Sequence, residues 1–264
     1  MKLLQKRSYQ RTLAFFLLLI LLLGTSGCQK EQAPALPPVS VAPSPVEPEP
    51  EPTISTDDSE HESFASLYSK NSDTVGWIRL DGTKTNNVVM RNDDNYYYLD
   101  RKFDGRRADS GELYIDAACH MDKDSMSQNI TIHGHHMING TMFGQLKKYQ
   151  DINFYKQHPT FRFDSMYRNY TWKVFAVFIV DLTRPDFFYY PKADFASGEE
   201  FMSFVDTIQK LSMLETSVDV VETDHIVCLS TCTYVSDNAR LVVAARRVRE
   251  YESLSVDVEQ ARRK

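Results

Sequence analysis

Two short apolar runs near the C-terminal end, Ile226–Leu229 and Leu241–Ala245, flank a polar stretch from Thr233 to Ala239. Both runs are rich in β-branched residues and bounded by polar ones, which predicts buried strands rather than helix. A connection this short makes them antiparallel neighbours. The same pattern predicts strands at Val75–Leu80, Asn87–Met90, Glu112–Asp116, Asn129–His133, Thr160–Asp164 and Asn169–Asp181, with turn residues between them. Phe64, Leu67 and Tyr68 recur at helical spacing and predict a first helix over Asp58–Lys70. Asp93–Leu99 reads as a short helical stretch, with Tyr96–Tyr98 as packing. Thr141–Tyr149 and Ile152–His158 also read as helical, with Pro159 as the stop. Ser197-Gly-Glu-Glu200 has the form of a capping box, and it opens a helix whose Phe201, Phe204, Val205, Ile208 and Leu211 make one apolar stripe. Short strands dominate, helices are interspersed and no βαβ alternation or internal repeat is present. The expected fold is therefore mainly β: a mixed or antiparallel β-barrel with added helices.

This pattern places chemistry at one hairpin mouth. Cys232 ends one strand and Arg240 starts the next, so a thiol stands beside a fixed cation, which lowers a thiol pKa from its free value of ~8.5. Gly134 ends the Asn129–His133 strand and puts His135 on the exit loop. A Cys and a His from separate strand ends are the parts of a nucleophile–base pair. Ser230 and Thr231, just before Cys232, are the expected substrate-binding residues. Asp237 and Asn238 lie nearby, either as a third group or as turn formers.

These motifs carry a resemblance. LSTC (Leu229–Cys232) with Arg240 eight residues on, and HGHHM followed by GTMFGQL, resemble the signatures of class B sortases, cysteine transpeptidases of Gram-positive bacterial surfaces. The resemblance runs from about Trp77 to Val248. Four positions depart from that pattern and bear on substrate preference: Cys228 for Thr, His133 for Tyr, His136 for Asn and Ala244 for His. The resemblance implies a closed sortase-like barrel with an N-terminal helix and a helix before the catalytic strand. It also implies catalysis by Cys232, His135 and Arg240 without a cofactor. Cys232 would cleave an LPxTG-like C-terminal sorting signal of a surface protein through a thioacyl intermediate. The acceptor would be an amine of a peptidoglycan precursor or of a pilin. The competing expectation is a catalytically impaired sortase-like module that only binds sorting peptides or cell wall.

The first 60 residues change the setting. Lys2, Lys6, Arg7 and Arg11 precede the unbroken apolar run Leu13–Leu23, which is short against the ~20 residues of a spanning helix. Small residues then lead to Cys28, as in a bacterial lipoprotein signal in which that Cys is lipidated; a retained anchor is the alternative. Either way residues 1–28 hold the chain to a membrane with the remainder on its outer face. Residues 29–60 hold eight of the 11 prolines, seven acidic residues and one lysine, the composition of a disordered tether. Residues 61–264 form the expected catalytic domain. Of the formal net charge of −6, this domain keeps −4 and shows no basic stripe, which argues against a nucleic-acid partner.

Four cysteines complete the reading. With Cys28 lipidated, the odd number left outside the cell leaves at least one free thiol. Cys228 and Cys232 are too far apart along one strand to bridge. A Cys119–Cys228 bridge is one possibility and two inert buried thiols the other. His133 and His135, with His136 or His120, also have a spacing that can chelate zinc, but no acidic residue stands beside them in sequence and metal is the lesser expectation.

Overall fold

The computed structural model describes residues 64–183, 187–233 and 238–264. The expected leader and tether, Cys28, the start of the first helix and Asp237 lie outside the described residues.

Eight strands close into a barrel. In chain order they are β1 (Thr74–Arg79), β2 (Asn86–Met90), β3 (Leu113–Ile115), β4 (Asn129–His133), β5 (Thr160–Ser165), β6 (Thr171–Asp181), β8 (Ile226–Cys232) and β9 (Ala239–Arg247). Around the barrel the order is β1-β2-β3-β4-β8-β9-β6-β5. The pairs β2–β3 and β4–β8 are parallel and the rest antiparallel, so the barrel is mixed. A small separate sheet joins β7 (Leu214–Glu215) to β10 (Arg262–Arg263), two strands too short to leave a periodic signal in the sequence.

The two-residue period of the strands sorts the core into two layers. Ile78, Val89, Leu113, Ile132, Phe163, Trp172, Leu229 and Val243, one from each barrel strand, belong to the interior cluster. The alternate residues Phe178, Ile226, Cys228, Val242 and Ala244 point outward and pack under α3 (Gly198–Leu211) through Phe201, Phe204, Val205 and Ile208. Leu211, the last residue of the expected stripe, is 43 % exposed, because the helix ends there and turns away at Ser212. Ser197 Oγ caps α3 by accepting from Glu200 N–H, while the Glu200 carboxylate reaches Ala196 N–H and Lys192 rather than Ser197.

Two helical expectations are met only in part: Asp93–Leu99 keeps a single 3-10 turn, Tyr97–Leu99, and Thr141–Tyr149 departs further. Over Thr141–Tyr149 only a 3-10 turn, Leu146–Gln150, forms. Upstream of it Met142 adopts a φ of 52°, bridges back to His136, and Phe143 N–H donates to His135 carbonyl. The segment is thereby spent on bracing the loop that carries His135. Tyr96–Tyr98 is packing only at Tyr98, which is 1 % exposed; Tyr96 is 77 % exposed beside the site. The remaining helices are α1 (Phe64–Lys70) and α2 (Ile152–Gln157), the latter capped by Asp151.

Candidate active site

Strand register places the reacting groups. In the β8–β9 ladder Cys232 is the direct partner of Arg240, so both side chains leave the same face, with Cβ atoms ~5 Å apart. In the parallel β4–β8 ladder His133 is the partner of Ser230, and Gly134 N–H donates to Ser230 carbonyl at 3.1 Å. Two residues further on, His135 emerges at the level of Cys232. His136 confirms that level, since its Nδ1 donates to the Cys232 carbonyl at 3.0 Å. Position 134 must be glycine for this exit: a Cβ there would lie 2.3 Å from Leu113 Cδ2 and 2.7 Å from Phe143 Cδ2.

Cys232, His135, Arg240, Ser230 and Thr231 all line one cavity of about 330 Å3, together with Asn95, Tyr96, Leu99, Leu182 and Tyr190. The expected site residues that lie among the described ones thus come together. Ser230 and Thr231 are nonetheless both 2 % exposed. The Ser230 hydroxyl is bonded to Tyr189 Oη at 2.6 Å, and the Thr231 hydroxyl is buried without a hydrogen-bond partner among the described residues, between interior residues Leu229 and Leu241. What these two residues present to the cavity is backbone and side-chain surface rather than ready hydroxyl donors.

His135 Nε2 donates to the Leu99 carbonyl at 2.7 Å. A carbonyl only accepts, so Nε2 carries a hydrogen and Nδ1 is the nitrogen left to exchange a proton. This is the orienting third group that side-chain motifs did not reveal; a backbone carbonyl 36 residues away leaves no signature in sequence. Asn238, the candidate within the described residues, instead gives its backbone carbonyl to Leu182 N–H. Arg240 is half-buried, with Nη1 on the Ala239 carbonyl at 3.1 Å.

The three described thiols differ sharply. Cys119 and Cys228 are buried and unbridged, whereas Cys232 is exposed. Burial pushes the Cys119 thiol up to about 12 and the Cys228 thiol higher still. The three imidazoles of the HGHH segment turn to different partners: His133 to Asp116, His135 to Leu99 and His136 to Cys232. Two of the four departures from the family pattern face each other, since Cys228 and Ala244 are cross-strand partners under α3.

Comparison with known proteins agrees with this geometry. The sortase-domain family model matches residues 103–248. Sortase B of Staphylococcus aureus is 31% identical over 188 residues, 70% of this chain and 75% of that protein. Sortase B of Listeria monocytogenes is 32% identical over 184 residues, covering 69% and 72% of the two chains. Among solved structures, the Staphylococcus aureus sortase B–substrate complex superposes with a TM-score of 0.65 at 30% identity, over 71% of this chain and 85% of that one.

The thiol environments generate a direct prediction. A raised thiol pKa leaves almost no thiolate at pH 8, so iodoacetamide should modify Cys232 in the folded protein and leave Cys119 and Cys228 untouched until unfolding. Peptide mapping by mass spectrometry checks it, and equal labelling of the three would contradict the packing described.

Proposed function

This chain belongs to the sortase family, in class B, and from that premise we propose that it cleaves an LPxTG-like sorting signal and transfers the acyl group to a cell-wall or pilin amine. As a sortase it is a cysteine transpeptidase acting on sorting signals. The observation that carries the finer reading is that Cys232, His135 and Arg240 line one cavity.

In this reading the Cys232 thiolate attacks the carbonyl of the scissile peptide bond. Protonated His135 gives a proton to the leaving amine, and a thioacyl enzyme results, so one hard step becomes two easier ones. The neutral imidazole then takes a proton from the incoming amine as that amine displaces the thiolate. The Leu99 carbonyl holds the ring so that Nδ1 does both transfers. Arg240 cannot serve as a base; it donates to the oxyanion that develops on the attacked carbonyl.

We further propose that residues 1–28 carry the protein to the outer face of the membrane, with Cys28 lipidated, residues 29–60 as tether and residues 61–264 as the catalytic domain. The short apolar run and the cysteine that follows it support this. One acyl chain alone binds marginally, and the diacyl group of a bacterial lipoprotein adds a second. Mass spectrometry of the mature N-terminus should find a modified Cys28; an intact Met1 would exclude lipidation.

Three substitutions test the catalytic assignment. Cys232→Ala should abolish cleavage of a sorting peptide, and His135→Ala should come close, because residues acting as a unit fail together. Arg240→Lys keeps the charge but loses the planar fork, and kcat should fall by about a hundredfold, the size of a lost oxyanion donor. Wild-type kcat in Arg240→Lys would reduce Arg240 to a point charge.

A further inference from the structure

A second cluster of reactive side chains lies away from the catalytic cavity. The chain from His120 to Ser127 folds back on itself. Met121 bridges to Met126, Asp122 N–H donates to the Ser125 carbonyl at 2.7 Å, and Ser127 N–H donates to the His120 carbonyl at 2.9 Å. β4 begins two residues after Ser127, so this loop stands at the opposite end of β4 from His135. Six residues, about 20 Å of extended chain, separate Ser127 from His133. The fold sets a histidine between two serines here. His120 Nε2 is 2.8 Å from Ser125 Oγ, and its Nδ1 is 2.8 Å from Ser127 Oγ. Behind them Asp194 Oδ2 lies 3.4 Å from Ser127 Oγ and 3.8 Å from His120 Nδ1.

Donor and acceptor roles follow from the partners. A carboxylate only accepts, so the Ser127 hydroxyl spends its one hydrogen on Asp194. Ser127 Oγ already accepts from His120 N–H at 3.0 Å, and its contact with Nδ1 then takes the Nδ1 hydrogen. The neutral ring is left with a bare Nε2, and that nitrogen faces the Ser125 hydroxyl. Asp194 is held in place: Gln128 N–H donates to its Oδ1 at 3.0 Å, and the Ala193 carbonyl beside it accepts from Asn129 N–H at 2.8 Å. Ser127 is fully buried, whereas Ser125 is exposed. A nucleophile, a base and a buried link to an anion are the parts of an acyl-transfer triad.

We infer that Ser125 is a second nucleophile, one that takes the acyl group of activated esters and thioesters. Ser125 Oγ attacks the acyl carbonyl and forms a C–O bond as its proton passes to His120 Nε2. The bond from the carbonyl carbon to the leaving oxygen or sulfur then breaks, and the leaving group departs with that proton. Ser125 is left O-acylated and His120 neutral, until water repeats the two steps and releases the acid. The main-chain N–H groups of Ser125 and Met126 have no acceptor among the described residues and are available to the oxyanion. Because Ser125 is exposed, binding contributes little and the donor must itself carry a good leaving group. The chemistry uses neither Cys232 nor His135, so it stands apart from the transpeptidase reading.

The test uses the full chain carrying Cys232→Ala, so that the catalytic thiol takes no probe, and p-nitrophenyl acetate as acyl donor. Acid quenching and peptide mapping by mass spectrometry locate the acetyl group and give its rate of appearance at each serine. Ser253 and Ser255 serve as internal controls, since both are exposed and their hydroxyls bond to each other rather than to an imidazole. Ser125 should acetylate about a hundredfold faster than either, the lower end of what a positioned base contributes. His120→Gln offers hydrogen-bonding groups to the two serines but no base, and it should bring Ser125 down to the control rate. Asp194→Asn should slow Ser125 about tenfold by weakening the link that fixes the ring. Thermal unfolding shows which variants fold, and the substitution at exposed Asp194 keeps the inference testable where His120→Gln does not fold. Acetylation of Ser125 no faster than of Ser253 and Ser255 would overturn the inference. So would a Ser125 rate unchanged in a folded variant of either kind, or acetyl found on His120 in place of Ser125.

Discussion

Everything at the active site depends on the register of one strand against its two neighbours. β8 is antiparallel to β9 on one side and parallel to β4 on the other, and Cys232 is its last residue. The first pairing sets Arg240 opposite the thiol; the second brings His135 out at the same level. Because side chains alternate with a period of two, a slip of one residue would turn Cys232 into the barrel and Thr231 outward. The buried residues resist such a slip. Val227 and Leu229 belong to the interior, Ile226 and Cys228 to the layer under α3, and neither set can exchange places without burying polar groups or opening cavities.

The neighbouring layers lock that register from outside. α3 covers the outward face through four buried apolar residues. The segment before it is tied to the barrel by Asn129, whose Nδ2 donates to the Tyr189 and Lys192 carbonyls, and by the Tyr189–Ser230 hydroxyl pair. The small cross-strand pair Cys228 and Ala244 lies beneath this layer, wholly buried. The outward face of β8 thus runs from sealed at Cys228 and Ser230 to exposed at Cys232. A single strand can therefore keep one thiol inert and present another to a substrate.

Much of this was legible in the sequence, for physical reasons. Burial on two faces of a barrel strand demands short β-branched runs, which is why β4, β6, β8 and β9 were visible. A cap needs a hydroxyl at one position, which is why the start of α3 was visible. The Cys232–Arg240 juxtaposition followed from the brevity of their connection alone. What stayed hidden depends on contacts across the chain. The Thr141–Tyr149 segment has helical composition, but its backbone is recruited by His135 and His136. The group that orients His135 is a main-chain carbonyl at Leu99, and any residue type can supply one. Asp116 looked like the end of an ordinary strand until the fold set it against His133 and removed it from water. Cys28 and the segments around it belong to the part of the chain outside the described residues.

Register sets Cys232 and His135 at one level of the same cavity, where the proposed mechanism uses them as nucleophile and acid. The competent form needs a thiolate and an imidazolium together, so its population passes through a maximum with pH and declines on both sides. The decisive measurement is kcat/KM against pH on a cleavable sorting peptide, with the alkylation rate of Cys232 followed in parallel. Cleavage should follow a bell-shaped profile, while alkylation, which needs only the thiolate, keeps rising above the cleavage optimum. Cleavage that rises monotonically and tracks alkylation throughout would mean that His135 supplies no proton and is not the acid.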